Sequence, residues 1–281
     1  MFKTTLLIIL LLVSLISSAQ RIKKNLVDGE GQPIVMLPGG TADISTYAPH
    51  AKELSATYKI IRMEHFNVQY ADEGRTLPSN YSVKMEGEAI GTTLDSLHIN
   101  EPIILVGWSY GAVIALDFAL NHPEKIRSLI LFEPPSFWIA DEKKESPQGM
   151  KQMQEHSANF KTTTTITEKD VIDFRCGLLN CDSIDIKKHP QWATWLKQKD
   201  RLRGLSAINK YKNKIKNLKK FNKPVLLVNG SSTVIFHKRI NELLVAEFPI
   251  ATKKEIPGGH NAPVAYAAEF TRAIVEFIRS N

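Results

Sequence analysis

The residues with the clearest chemical potential are Gly107-Trp108-Ser109-Tyr110-Gly111, which form a Gly-x-Ser-x-Gly motif. An apolar run precedes the motif and an apolar helical pattern follows it, so Ser109 is predicted to lie where a buried strand becomes a helix. In so sharp a turn flanking side chains would collide, which explains the two glycines, and the serine oxygen is exposed beside the first amides of the helix. The pattern predicts a nucleophilic serine.

Two kinds of segment alternate around this motif. Short, continuously apolar runs are typical of parallel strands covered on both faces, and helical patterns separate them. The predicted strands are residues 33–39, 58–64, 102–108, 126–133, 224–230 and 252–258. The predicted helices are residues 47–57, 82–98, 109–122, 237–248 and 262–279. This alternation predicts crossover units and a mostly parallel central sheet flanked by helices, which is an α/β fold.

One long segment interrupts the alternation. Between Pro134 and Phe221 the chain has polar helical stretches and no convincing strand. Such an insertion is too long for a plain loop. Residues 134–221 are therefore predicted to form a helical cap over the carboxyl ends of the strands, where open α/β sheets bind ligands. A looser, partly mobile lid is the alternative, and in either case residues 20–133 and 222–281 form the core.

These elements and motifs resemble those of the α/β-hydrolase superfamily over nearly the whole chain after residue 19. Besides the serine turn, the sequence has "VMLPGG" at residues 35–40 and "IPGGHNAP" at residues 256–263, in the order that the family shows. The resemblance implies that His260 is the general base for Ser109. It also implies that the backbone amides of Gly40 and Tyr110 form an oxyanion hole. The family usually has His-Gly where this chain has Pro38-Gly39.

The third catalytic group is harder to find. Most of the family places an Asp three residues after the glycine that ends the strand at 224–230, and that position is Thr233 here. No Asp or Glu occurs between Arg201 and Asn241. The usual acid position is therefore empty, which indicates either a degenerate site or an acid supplied from elsewhere.

Some branches of the superfamily, among them the haloalkane dehalogenase-like enzymes, place the acid after the strand that follows the serine turn. In this chain that position is Glu133, and the resemblance implies that Glu133 orients His260. Pro134 disfavours a helical backbone at the residue before it, so Glu133 is expected to be extended. A surface glutamate at a strand end is the alternative, and Asp141 is the fallback acid.

The sequence thus predicts an exported serine hydrolase that cleaves an ester-type bond of a small or medium organic substrate through Ser109, His260 and Glu133. A lactone, a thioester or a carbon–carbon bond beside a ketone would use the same residues. The alternative is a catalytically degenerate binding protein for small molecules on the same fold. This hypothesis is motivated by the lack of an acid at position 233. Neither a metal nor an organic cofactor is implied. Trp108, Phe137 and Trp138 are candidates for an apolar substrate pocket, although each is equally compatible with core packing.

Composition and the first residues set further bounds. The chain has 281 residues, of which 43% are hydrophobic and 23% charged, and this suits one globular domain with an insertion. Lys3, an apolar run and then Ser17-Ser18-Ala19 predict a signal peptide over residues 1–19, cleaved before Gln20. The apolar run is too short for a stable membrane span. The expected location is secreted or periplasmic.

The remaining features leave alternatives open. The net charge is +7, concentrated in lysines between Lys210 and Lys223. This run is interpreted as a solvated helix face or linker, with a surface that binds anionic polymers as the alternative. It lacks the interleaved aromatic residues that would indicate nucleic-acid binding. Cys176 and Cys181 are compatible with a disulfide or with two buried thiols, and no accompanying ligands suggest zinc.

Overall fold

A computed structural model describes residues 23–179, 181 and 183–281. The predicted signal peptide at residues 1–19 and the cleavage site at Ala19-Gln20 lie outside the described residues. Export and a secreted or periplasmic location therefore stay predictions.

A single seven-stranded sheet forms the centre of the molecule. Its strands are β1 (Asn25–Asp28), β2 (Pro33–Leu37), β3 (Lys59–Met63), β4 (Ile103–Trp108), β5 (Ile126–Phe132), β6 (Val225–Gly230) and β7 (Ala251–Ile256). The strand order is β1-β3-β2-β4-β5-β6-β7, in which β1 is antiparallel to β3 and every other neighbouring pair is parallel. The predicted α/β class and mostly parallel sheet are confirmed.

Helices connect these strands and surround the sheet. In the described residues they are α1 (Ala48–Leu54), α2 (Phe66–Asp72), α3 (Val83–Ser96), α4 (Tyr110–Asn121), α5 (Phe137–Lys143), α6 (Met150–Ala158), α7 (Glu168–Leu179), α8 (Ser183–Lys188), α9 (Trp192–Lys197), α10 (Ala207–Lys210), α11 (Ile215–Leu218), α12 (Ile235–Glu247), α13 (Ala262–Ala265) and α14 (Ala267–Arg279). None of these helices combines the length and the apolar character that crossing a bilayer requires.

The central strands are buried on both faces, which explains why their sequences are apolar without alternation. In β4, Ile103 and Leu105 belong to a core cluster with α3, α4 and α12, whereas Ile104 and Val106 belong to a second cluster with α1 and α14. Successive side chains of a strand point to opposite faces. The sheet therefore holds its carboxyl ends rigidly between two apolar layers.

The segment between β5 and β6 contains helices α5 to α11 and, in its described residues, no strand. Its side chains extend the larger core cluster above the sheet, including Met153, Phe160 and Leu205. The predicted division into a core and a cap at residues 134–221 stays a prediction. The sulfur atoms of Cys176 and Cys181 lie 3.2 Å apart, and no disulfide joins these two described residues.

Candidate active site

Ser109 occupies the turn between β4 and α4 with φ 54° and ψ −120°. A non-glycine residue rarely adopts such a backbone conformation, and it stores strain. A Cβ atom on Gly107 would lie 2.5 Å from Ala112 Cα, and one on Gly111 would lie 2.3 Å from Pro38 O. Because these neighbours are backbone atoms, they cannot move aside cheaply. The turn therefore requires glycine at both positions.

His260 lies in the loop between β7 and α13, and its ring reaches Ser109. Its Nε2 lies 3.0 Å from Ser109 Oγ, and the residue is only 2% exposed. The indole N–H of Trp108 donates to the backbone carbonyl of His260 at 2.9 Å. This bond ties the histidine loop to the end of β4, so Ser109 and His260 are positioned by the same strand.

Glu133 follows β5 and is fully buried. Its Oε2 lies 2.6 Å from Nδ1 of His260. The expectation of an extended backbone before Pro134 is wrong, because Glu133 has φ 46°, in the left-handed region. Its backbone N–H donates to Val228 O at 3.2 Å, which fixes the turn against the neighbouring strand. Tertiary contacts thus override the local preference and direct the carboxylate toward the histidine.

Two further groups hold the Glu133 carboxylate. The backbone N–H of Gly230 donates to Oε1 at 2.8 Å, and the hydroxyl of Thr233 donates to Oε2 at 2.9 Å. The amide of Asn229 lies 3.5 Å from Oε1. All of these neighbours are hydrogen-bond donors, so the carboxylate is oriented from both sides.

The loop after β2 lies beside the serine turn. A Cβ atom on Gly40 would be 3.0 Å from Tyr110 Cβ, and Tyr110 is the first residue of α4, so its N–H has no acceptor within the helix. The amide of Asn67 donates to Gly40 O and His65 Nε2 donates to Pro38 O, each at 2.6 Å. Burial lowers the pKa of His65 to about 4, so the ring is neutral at neutral pH. These two buried side chains fix the loop conformation.

A narrow cavity with a volume of about 30 Å³ opens beside Ser109. Its walls are mostly apolar and include Phe137, Phe174 and Leu205. Of the three aromatic residues predicted to line a pocket, only Phe137 lines this cavity. Trp108 lines a larger neighbouring cavity.

Trp138 and Asp141, two further residues singled out from the sequence, do not line the cavity at Ser109. Trp138 is 2% exposed in the core and lines neither cavity, because its ring points into the packed layer instead. The Asp141 carboxylate is 42% exposed and pairs with Lys212 at 2.9 Å. Among the described acidic groups, Glu133 is therefore the one in contact with His260.

Comparison with known proteins identifies the fold family. Residues 32–167 match the family model described as the alpha/beta hydrolase fold. A solved thermophilic esterase from Thermogutta terrifontis superposes with a TM-score of 0.68 at 18% identity, over 92% of this chain and 93% of that chain. The chain belongs to the α/β-hydrolase superfamily. At such low identity the structural likeness shows the fold alone.

Two curated members of the superfamily match part of the chain. One is the cis-3-alkyl-4-alkyloxetan-2-one decarboxylase of Shewanella oneidensis, 28% identical over 116 residues, which are 41% of this chain and 36% of that protein. The other is the 2-hydroxymuconate semialdehyde hydrolase of Pseudomonas sp. (strain CF600), 33% identical over 117 residues, 40% of each protein. The matches thus span well under half of these relatives.

Thr233 stands at the sequence position where most of the family has its acid, and the structure places its side chain against Glu133. Its hydroxyl contacts the oxygen of Glu133 that faces His260. The sequence shows only that Thr233 stands where an acid is usual. The sequence does not predict the hydrogen bond from Thr233 to Glu133, because the two residues lie 100 positions apart.

His237 was not identified from the sequence, although it lies directly beside the serine. Its ring stacks on that of His260 with centroids 4.4 Å apart and planes 7° from parallel, and it lines the cavity at Ser109. Burial and the adjacent His260 hold the pKa of His237 well below its usual value, so it is neutral. Ligand atoms of His237, His260 and Glu133 all lie within 4.8 Å of one another. Because both nitrogens of His260 already contact Ser109 and Glu133, the geometry favours proton transfer over metal ligation.

Proposed function

We propose that this α/β hydrolase cleaves an ester-type bond of a small or medium organic substrate through Ser109, His260 and Glu133. The observation that carries the proposal is the continuous hydrogen-bonded chain between these side chains. Ser109 Oγ and His260 Nε2 are 3.0 Å apart, and His260 Nδ1 and Glu133 Oε2 are 2.6 Å apart. Such a chain is the arrangement that activates a serine toward a carbonyl carbon.

In the proposed reaction, Ser109 Oγ attacks the substrate carbonyl while His260 Nε2 takes the serine proton. Glu133 holds the Nδ1–H of the ring and stabilises the imidazolium that forms. The amides of Gly40 and Tyr110 donate to the oxyanion. His260 then gives the proton to the departing alcohol, which leaves an acyl group on the serine. A water molecule, deprotonated by the same histidine, attacks this acyl group; the bond to Ser109 Oγ breaks, His260 returns the proton to that oxygen, and the acid is released.

The rival proposal, a degenerate binding protein, was motivated by the missing acid at Thr233. That motive weakens because Thr233 donates to Glu133 at 2.9 Å, as expected if the acid had moved to a neighbouring strand. The apolar walls of the cavity at Ser109 favour an uncharged acyl or alkyl group beside the serine.

A fluorophosphonate probe tests the proposal, because it reacts covalently only with an activated serine. The wild type is expected to be labelled at neutral pH, and Ser109→Ala and His260→Ala are expected to lose labelling entirely. Ser232→Ala, in a loop near the histidine but outside its hydrogen bonds, is the matched control and is expected to label like the wild type. Circular dichroism checks that each variant is folded. A folded wild type that the probe does not label would refute the proposal and favour the binding protein.

A further inference from the structure

Arg175 is a partly buried arginine with no acidic partner among the described residues. It lies on α7, and its Nη2 donates to Thr41 Oγ1 at 2.9 Å, while its Nε is buried without a hydrogen-bond partner. The guanidinium lies 4.5 Å from the ring centroid of Trp195 and 5.7 Å from that of Phe174. Burial lowers the pKa of Arg175 to about 9, so the group is still charged at neutral pH. Aromatic faces and a hydroxyl do not neutralise it.

Arg175 lines the larger cavity beside Trp108, and a second arginine, Arg201, lines it too. The charge of Arg201 is neutralised by acidic partners. Arg201 pairs with Asp43 at 3.2 Å and with Asp72 at 2.7 Å. A partly buried charge without such partners is costly, and an anion bound beside it would offset that cost. Arg175 is therefore a candidate for ligand binding, and Arg201 is a structural ion pair.

The cavity that Arg175 lines adjoins the proposed active site. Its volume of about 680 Å³ lies in the range of small-molecule sites, whereas the cavity at Ser109 is far smaller. Its walls include Thr41, Trp108 and Asn261, which in sequence directly follow Gly40, precede Ser109 and follow His260. A group bound at Arg175 would thus lie next to three of the backbone segments that form the proposed catalytic centre.

Helix α7 separates the two cavities. Phe174 and Leu178, one helical turn apart, line the apolar cavity at Ser109, whereas Arg175 and Leu179 line the larger one. The helix thus presents an apolar face to one side and a cation to the other. One substrate that reaches both cavities would need an uncharged part and an anionic part.

We propose that Arg175 binds a carboxylate of the substrate, so that the protein acts on esters that carry a second, free carboxylate. The inference rests on the proposed function for the position of the scissile bond. The planar guanidinium suits a carboxylate because two N–H groups can donate to its two oxygens at once. The substrate class is therefore the monoesters of dicarboxylic acids.

The first test compares substrates that differ only in charge. Mono-p-nitrophenyl esters of dicarboxylic acids with four to eight carbons are assayed against the same esters methylated at the free carboxylate. The wild type is expected to prefer the anionic member at one or more chain lengths. Arg175→Met is expected to lower the ratio of the two kcat/KM values about ten- to hundredfold, as for a lost hydrogen bond between charged groups. Arg175→Lys keeps the charge but lacks the planar pair of N–H groups, so its ratio is expected to lie between those of the wild type and Arg175→Met.

Lys169→Met is the matched control, since it removes one positive charge from an 80% exposed side chain on the same helix. Its charge preference is expected to equal that of the wild type. A ratio unchanged in Arg175→Met, or lowered equally in Lys169→Met, would overturn the carboxylate site.

A second test does not need catalysis. In the Ser109→Ala background, free glutarate and adipate are expected to raise the melting temperature, and Arg175→Met is expected to abolish this shift. If no ester is hydrolysed but the shift depends on Arg175, the hydrolase proposal fails and the carboxylate site stands. If esters are hydrolysed without charge preference and no shift occurs, the site fails and the hydrolase stands. A shift with inorganic phosphate but with neither dicarboxylate would also overturn the carboxylate assignment.

Discussion

Replacing Glu133 by glutamine changes one oxygen into an NH₂ group within a buried set of donors. Oε1 accepts from the backbone N–H of Gly230, which cannot move, so the remaining glutamine oxygen is expected to face that N–H. The NH₂ group then faces Nδ1 of His260 and can only donate to it. The opposite orientation would bury two donors against each other, at a cost of about 1–3 kcal/mol for each unsatisfied group.

The preferred orientation forces the wrong tautomer on the histidine. If Nδ1 accepts from the amide, then Nε2 carries the hydrogen and cannot take the proton of Ser109. Loss of the correct tautomer in a triad of this kind lowers kcat by about 10⁴-fold. That factor corresponds to about 5.5 kcal/mol of lost transition-state stabilisation. KM should change little, because Glu133 is buried behind His260 and does not line the cavity at Ser109.

The assay is steady-state hydrolysis of p-nitrophenyl butyrate by Glu133→Gln and by Asp141→Asn, with thermal unfolding to check that both variants fold. Asp141→Asn is the control, because that carboxylate is exposed and paired with Lys212 on the surface. It is expected to stay within about twofold of wild-type kcat, as surface ion pairs contribute little. The reasoning is refuted if Glu133→Gln retains more than a tenth of the activity, or if Asp141→Asn loses more than Glu133→Gln does.

Three further predictions concern the acid, the serine turn and a buried histidine. The Thr233 hydroxyl contacts the oxygen of Glu133 that faces the histidine, so an acid at position 233 could replace Glu133. The double variant Thr233→Asp/Glu133→Ala should therefore have a kcat at least tenfold higher than that of Glu133→Ala; equal kcat values would contradict this. Gly111→Ala should lose about 3 kcal/mol or more of unfolding free energy in urea, since its Cβ would lie 2.3 Å from a backbone oxygen. Gly91 lies within α3, and its added Cβ would lie 3.6 Å from the Phe118 ring, so Gly91→Ala should be neutral or stabilising. Burial lowers the pKa of His65 to about 4. Below about pH 6.5 the unfolded chain therefore binds a proton that the folded chain does not, and the protein becomes less stable as the pH is lowered. This difference costs about 2.5 kcal/mol at pH 4.5 relative to pH 7, and His65→Gln should remove that part of the pH dependence; an unchanged dependence would show that the ring is not neutral in the fold.

The parallel part of the fold could be predicted because buried parallel strands leave a strong signal. Strands β2 and β4 to β6 are mostly apolar, and their positions differ from the predicted ones by one or two residues. The edge strand β1 was not predicted. It has only four residues, none of them fully buried, and it exists because its backbone pairs with β3. Pairing between distant segments leaves no local pattern for a short edge strand.

The candidate site likewise has a part that could be predicted from the sequence and a part that could not. Ser109 and His260 were found because glycines and element boundaries constrain them locally, and the structure brings them within hydrogen-bond distance. The contacts of Thr233, His237 and Arg175 were not predicted, because each joins residues that lie far apart in the chain. For Arg175 one signal was available in the sequence. The helical spacing of its neighbours places an apolar face and a cation on adjacent sides of one helix.

The position of the acid is set by the sheet as much as by its own side chain. The backbone N–H of Ser109 donates to Phe132 O at 2.8 Å, and that of Glu133 donates to Val228 O at 3.2 Å, so the ends of β4, β5 and β6 are joined in series. Both Ser109 and Glu133 have positive φ angles, a strain of about 1–3 kcal/mol each that the surrounding contacts must offset. In neighbouring parallel strands, the residue after β5 and the residue at Thr233 approach the same point from two sides. A carboxylate from either side can therefore reach Nδ1 of the histidine, and the residue on the other side need only donate a hydrogen bond to that carboxylate. A threonine at the usual acid position is thus compatible with a complete hydrogen-bonded chain.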